Sequence, residues 1–388
     1  ACLVLTHILS IEDCIDAVDV ETICILVGMM LLVAVIKNSG IFEYIAIKAA
    51  KIAKGRPWPI MVIFILITAV CSGMLDNVTT VLLVGPMTLA ITNILKVDPV
   101  PYIITQIMAS NIGGTATLIG DPPNIMIGSA AKLSFVDFIL NTGVATVFVI
   151  IVGLICMYFI YGRKLFVTDE SIAKVMQLDE NKAIKDRKLM HESVIVIILV
   201  ALCFIFHDQL GVQSCTVAIA AACIMLLIGG QEPEEIIADV EWPTILFFIG
   251  LFIVVGGMKK VGVITMLANG LISITHGNMV VTMMVILWVS AIVSSFLDNI
   301  PFVATLIPMI LTMQSEGMDV APIWWALSLG ACLGGNGTLI GASANVVLSG
   351  ISKNNGHPIT FGQYFKIGFP MMILSIIVCS VFLLIRFA

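Results

Sequence analysis

The sequence predicts an all-α polytopic membrane protein of two inverted-topology repeats, each with a re-entrant hairpin and a broken transmembrane helix. Three observations predict it: the composition, a series of long apolar runs, and an internal repeat. Of 388 residues 60% are hydrophobic and 11% charged, against about 25% charged in soluble domains, so a water-soluble enzyme is excluded. The net charge is -6 and no long basic tract is present, which argues against a nucleic-acid partner. The lipid bilayer is the expected surrounding.

Taken in order, the first ten residues read as the end of a span, and no signal peptide is visible. Apolar runs follow at Ile60 to Leu75 and Phe138 to Tyr161, long enough or nearly so to cross about 30 Å of hydrocarbon. Gly40 to Lys54 sets Lys48, Lys51 and Lys54 beside an apolar face, as expected of a helix in the membrane interface. Gly162 to Glu192 is the only long polar stretch, with seven basic and six acidic residues, and reads as a solvated loop. Beyond it we expect spans near 192–206, 213–230 and 242–258, a hairpin over 278–313 interrupted at Asp298-Asn299-Ile300-Pro301, a helix broken at Gly334 to Gly341, and a last span to 387.

Self-similarity divides the chain. Val20-Glu21 pairs with Val240-Glu241, Leu75-Asp76-Asn77 with Leu297-Asp298-Asn299, and Gly113-Gly114 through Gly120 and Asn124 with Gly334-Gly335 through Gly341 and Asn345. The offsets are nearly constant, which chance matches between apolar segments do not give. Residues 1–161 form an N-terminal repeat, 162–190 a linker, and 191–388 a C-terminal repeat. Five crossings per repeat, an odd number, invert the second copy. The alignment of Ala1 to Glu21 with Ala221 to Glu241 leaves about 30 residues without a partner in the first repeat, so that part is expected to be missing and the intact protein to have about ten spans. The positive-inside rule agrees: with a cytoplasmic central loop, fifteen of nineteen basic residues lie inside, leaving Lys132, Lys259, Lys260 and Arg386 outside.

Carboxylates inside a bilayer are costly and mark ion or proton sites. Asp76 and Asp298 sit at matching hairpin tips with Asn77, Thr79 and Asn299; capping of the second hairpin arm is the alternative role. Asp121 has Ala342 as its counterpart, which suggests a task specific to one half, either protonation or capping of the half-helix that starts at Pro122. Gly113, Gly114, Gly120, Gly334, Gly335 and Gly341 break two apolar helices, since glycine lets the backbone leave helical geometry. The freed carbonyls, with Asn111, Thr115, Thr117, Asn124, Asn336, Thr338 and Asn345, are candidate ion ligands; close helix packing is the alternative reading of the glycines. Most of the ten cysteines read as small buried hydrophobes. The five histidines, His207 among them, show no metal-ligand spacing, and no nucleophile–base set or Walker loop is present. No enzyme activity, resident metal or cofactor is expected, only H⁺ or Na⁺ as a coupling ion.

The run Ser110-Asn111-Ile112-Gly113-Gly114-Thr115-Ala116-Thr117-Leu118-Ile119-Gly120-Asp121-Pro122-Pro123-Asn124, with the two Leu-Asp-Asn tips, closely resembles the ion transporter superfamily. Within it, the arsenite permease and sodium/proton antiporter branch that includes the pink-eyed dilution proteins is most similar. The resemblance implies two hairpins and two broken helices, a homodimer, an elevator-like motion, and, for an arsenical pump, a separate soluble ATPase subunit. Relatives in the divalent-anion/sodium symporter branch carry Ser-Asn-Thr at the tips. The acidic tips here repel a dicarboxylate unless protonated or covered by cations.

The function expected from sequence is therefore proton-coupled secondary transport of a small inorganic ion or oxyanion, as in arsenite or antimonite efflux. Sodium/proton antiport, a passive anion channel and citrate-type carboxylate transport are the alternatives. A prokaryotic plasma membrane with the central loop cytoplasmic is the expected location.

Overall fold

Long apolar segments interrupted by Asp, Pro and Gly fold here as a succession of long and short helices. The computed structural model describes residues 2–388, apart from the side chains of residues 207, 208 and 210; Ala1 and the side chain of His207 thus lie outside the described residues. We number the helices of ten or more residues. These are α1 (Val20–Lys37), α2 (Ile41–Ile52), α3 (Pro57–Met74), α4 (Asn77–Leu95), α5 (Val100–Thr115), α6 (Pro122–Ala131), α7 (Val144–Ile160), α8 (Arg187–Leu210) and α9 (Ser214–Ile228). After them come α10 (Trp242–Lys260), α11 (Val263–Thr275), α12 (Met279–Phe296), α13 (Asn299–Ser315), α14 (Ala321–Gly334), α15 (Ser343–Asn354) and α16 (Phe361–Phe387). No strand occurs among the described residues, and eight helices are long and apolar enough to cross a membrane.

The series α1 to α7 recurs in order as α10 to α16. Each repeat contains a long helix, a short arm (α2, α11), a hairpin (α3–α4, α12–α13), a broken helix (α5–α6, α14–α15) and a final span. The arm α11 carries no interruption by Pro or charge, and the sequence reading left it unassigned. The structure also moves the register of the first pairing. Asp19 caps α1 and accepts from the Thr22 hydroxyl, and Glu241 precedes α10 and accepts from the Thr244 hydroxyl. Asp19 and Glu241 are therefore equivalent, 222 residues apart like Asp76 and Asp298; matching Val20-Glu21 to Val240-Glu241 is two residues out of register.

The halves interlock. Half-helix α6 packs on hairpin arm α13 of the other repeat, α15 packs on α4, and α5 crosses α14. Within each repeat the first hairpin arm lies directly on the first half of the broken helix, α3 on α5 and α12 on α14. Small residues allow it: a Cβ on Gly113 would lie 2.1 Å from the Ala69 carbonyl oxygen, and one on Gly334 would lie 2.6 Å from that of Ala291. Helices α8 and α9 close the bundle against α1.

The central polar stretch is not a free solvated loop. A short helix, Asp169–Met176, buries Val175 against the arm α2 and α4. Lys51 Nζ donates to the Leu178 carbonyl at 3.1 Å and to Glu180 at 2.6 Å, and the Lys185 and Asp186 amides both donate to the Ser39 carbonyl. Its few apolar residues found a groove that charge counting alone does not reveal. The Lys51 ion pair holds the Glu180 carboxyl below its ordinary range. Because that pair is partly exposed its contribution is small, and Lys51→Ala should speed limited proteolysis between residues 176 and 186 by roughly twofold to fivefold. Unchanged cleavage would mean that the apolar contacts hold the segment alone. The cysteine expectation also needs correcting: only Cys332 and Cys379 are fully buried, while Cys2 and Cys223 are exposed and the other six half-buried.

Candidate functional site

At each hairpin tip the chain reverses inside the bundle, and the first amides of the second arm have no helical acceptor. Asp76 meets this need at the start of α4, accepting from the Thr79 amide at 2.8 Å and from the Thr79 hydroxyl. Asp298 does the same at α13, accepting from the Ile300 amide at 3.0 Å, and its second oxygen accepts from Ser343 at 2.9 Å. Both carboxylates are thus caps, and of the two only Asp76 lines the interior cavity. Asparagine caps as well as aspartate does, so Asp76→Asn and Asp298→Asn should remove charge and keep the fold. We expect each to lose or uncouple transport in proteoliposomes while eluting as wild type on gel filtration. Wild-type coupled flux in both would leave them as caps only.

Asp121 is different. It precedes α6 yet makes no capping bond. Instead it receives both tips: Asn77 Nδ2 donates to its Oδ1 at 3.2 Å, and Asn299 Nδ2 lies 3.3 Å from each of its two oxygens. One fully buried carboxylate therefore sits where the two repeats' hairpins meet, and two amide donors compensate it.

The remaining predicted residues secure this junction from behind. Thr117 donates to the Gly73 carbonyl and its equivalent Thr338 to the Ser295 carbonyl, pinning each hairpin to its broken helix. Asn124 Nδ2 donates to the Thr117 carbonyl and Asn345 Nδ2 to that of Thr338 at 2.8 Å, so each closes the open end of a helix break. Asn124 Oδ1 accepts from Ser328 at 2.6 Å. Asn111 bridges the repeats, donating to Asn336 Oδ1 at 2.9 Å and Asn345 Oδ1 at 2.8 Å. Thr115 donates to the Asn111 carbonyl in its own helix. None of Gly113, Gly114, Gly120, Gly334, Gly335 and Gly341 has positive φ. They serve close approach: a Cβ on Gly120 would lie 2.7 Å from the carbonyl oxygens of Gly114 and Ser72, and one on Gly341 would meet those of Gly335 and Ser294 in the same way.

Between the tips lies a cavity of about 20 Å³, room for one water-sized ion. Asp76, Asn77, Asp121, Asn299, Thr244 and Glu241 are among its walls, and no lining residue is basic. Glu241 is the acid that the sequence reading missed. Its signal was the Glu-x-x-Thr cap shared with Asp19 to Thr22, hidden by the two-residue slip in register. The two tips also differ in cover. Leu75 and Ile119 are 4% and 1% exposed, whereas their equivalents Leu297 and Ile340 are 58% and 52% exposed. Met30 of α1 lines the cavity at the first tip, and α1 packs on α6 beside it. The chain itself thus covers the first tip more fully than the second.

A family model described as citrate transporter matches residues 1–330. An uncharacterized transporter of Mycobacterium tuberculosis is 42% identical over 374 residues, covering 95% of this chain and 87% of that protein. The human P protein is 32% identical over 456 residues, covering 97% of this chain and 54% of its own length. Among solved structures, the YdaH transporter of Alcanivorax borkumensis shares the fold, with a TM-score of 0.62 at 15% identity over 93% of this chain and 84% of that one.

Proposed function

The chain belongs to the citrate transporter family, a membrane transporter family, and on that footing we propose that it is a secondary transporter coupled to protons or another cation, with Asp121 as the coupling acid. The observation that carries this reading is the clasp of Asp121 by asparagines from both tips in a cavity with acidic and no basic walls. Such a site binds cations, and a carboxylate occupied by H⁺ or a metal ion releases its hold on the tips. The fully buried charge is costly in a bilayer, so movement of the site is favoured when a cation occupies it.

Citrate, the substrate in the family's description, is an anion that these acids repel unless a cation accompanies it. We therefore place a small carboxylate carried with a cation ahead of arsenite or antimonite as the substrate class. The second reading is sodium/proton antiport, favoured by the ion-sized cavity. Duplicated, inverted hairpins suit alternating access better than a passive channel, which is open at both ends at once. In this reading the membrane is a prokaryotic plasma membrane and the central segment cytoplasmic.

Proteoliposomes given citrate with and without Mg²⁺, arsenite, and Na⁺, read for solute flux and internal pH, test this. Saturable citrate uptake that needs the divalent cation and moves protons is expected. Sodium-driven proton movement without citrate flux would shift the assignment to antiport, and unitary current steps would overturn transport by alternating access.

A further inference from the structure

A second site lies apart from the acid cavity and shares no lining residue with it. The arm α2 and hairpin arm α4 enclose a cleft of about 370 Å³, its walls apolar and formed by Phe42, Ala46, Leu82, Pro86 and Met87 among others, with Lys37, Glu43 and Lys185 at its rim. The rim charges are matched, Lys37 with Asp239 and Lys185 with Glu43, so the mouth calls for no net charge. Behind the cleft a pocket of about 20 Å³, sharing Phe42, Ala46 and Met87 with it, has Thr68, Thr88 and Gln106 among its walls.

This floor has unused hydrogen-bonding capacity. All three side chains are buried. Gln106 Nε2 donates to Thr88 Oγ1 at 2.6 Å and Thr88 donates on to the Val84 carbonyl, which leaves Gln106 Oε1 as an acceptor without a donor. The Thr68 hydroxyl also lacks a partner. Pro86 has no amide hydrogen, so the Leu82 carbonyl at the cleft wall lacks its usual i+4 donor.

The repeat shows that packing does not require these residues. By their places in α13 and α14, the counterparts of Thr88 and Gln106 are Ile310 and Leu327, both fully buried; only Thr68 is matched by a polar residue, Ser290. The same helical frame therefore tolerates apolar side chains at two of three positions, yet in the first repeat it buries polar groups directly behind an apolar cleft. Apolar walls with a few placed polar groups characterise small-molecule pockets.

We infer that this cleft binds a neutral amphiphile with a ring-sized apolar body and one hydrogen-bond-donating hydroxyl or amine, the donor reaching Gln106 Oε1 past the flexible Met87 thioether. An occupant there ties α4, whose first turn follows Asp76, to the arm α2.

The test uses the purified full chain and a matched pair of fluorescent probes, 2-naphthol and 2-methoxynaphthalene, which differ in the donor. Saturable binding at least about tenfold tighter for the alcohol is expected, the scale of one hydrogen bond to a buried acceptor. Gln106→Leu, which installs the residue the second repeat carries, should remove that preference and leave weak binding of both probes, and Thr88→Ile should weaken it. Equal binding of alcohol and ether by the unaltered protein would reduce the cleft to a greasy surface. No saturable binding of either would show that the cleft takes no such ligand, and either result overturns the inference without touching the transport reading, which neither probe reports.

Discussion

Asp121→Asn is expected to cut coupled flux by about 100-fold or more, the scale on which a positioned proton-carrying group contributes. The substitution keeps one oxygen where Oδ1 now accepts from Asn77 and Asn299, so both hairpin tips stay held and the protein should fold. Its new amide faces Asn299 Nδ2, donor against donor, in place of the 3.3 Å contact to Oδ2. That loss loosens one tip slightly and removes the charge. Asp121→Ala, which copies Ala342 of the second repeat, removes the clasp altogether and leaves two buried amides unpaired at about 1–3 kcal/mol each. Transport by proteoliposomes and thermal unfolding together separate the roles. Asp121→Asn should lose flux with a near-normal unfolding midpoint, and Asp121→Ala should lose both. Normal proton-linked flux in Asp121→Asn would sink the assignment of the coupling acid.

Gly113→Ala should be strongly destabilising for a change of one methyl group. The added carbon would sit 2.1 Å from the Ala69 carbonyl oxygen and 2.5 Å from its Cα. These are backbone atoms and cannot turn aside as a side-chain tip would. Helices α3 and α5 must separate, and the Thr117 to Gly73 pin must stretch with them. Overpacking of this kind costs about 1–3 kcal/mol, which should lower the unfolding midpoint by a few degrees, about 2–6 °C. Gly334→Ala should act similarly through Ala291, whereas Gly153→Ala, with open space at its Cβ, should not. An unfolding midpoint for Gly113→Ala equal to that of Gly153→Ala would show that the hairpin and the broken helix are not locked together.

Much of the architecture was legible because the bilayer leaves few options for a backbone. The hairpins, the two helix breaks and their restart at Pro122 were marked by Asp, Pro and Gly in apolar surroundings, where such residues have no other place. The arm α11 was not legible, since it has no side-chain cap and the Asn269-Gly270 pair inside it reads as a break in an apolar stretch. Nor was the docking of the central segment, which depends on Val175 finding a groove made by α2 and α4, far from it in the chain. In the site, residue type pointed to Asp76, Asp121 and Asp298 together. Which of them caps and which is clasped depends on a few ångströms of placement.

The amino-acid sequence by itself determined that this is a polytopic, duplicated membrane protein with acids at two matching tips, because hydrophobic periodicity, helix breakers and repetition are local properties of the chain. Only the tertiary structure decided that Asp76 and Asp298 spend their oxygens on helix caps, that Asp121 takes both tip asparagines, and that Glu241 joins them. It also decided that one tip is covered and the other exposed. The physical reason is the same throughout: a carboxylate's partners are set by distance in the folded bundle, and the two repeats, alike in sequence, meet the single unmatched Asp121 from opposite sides.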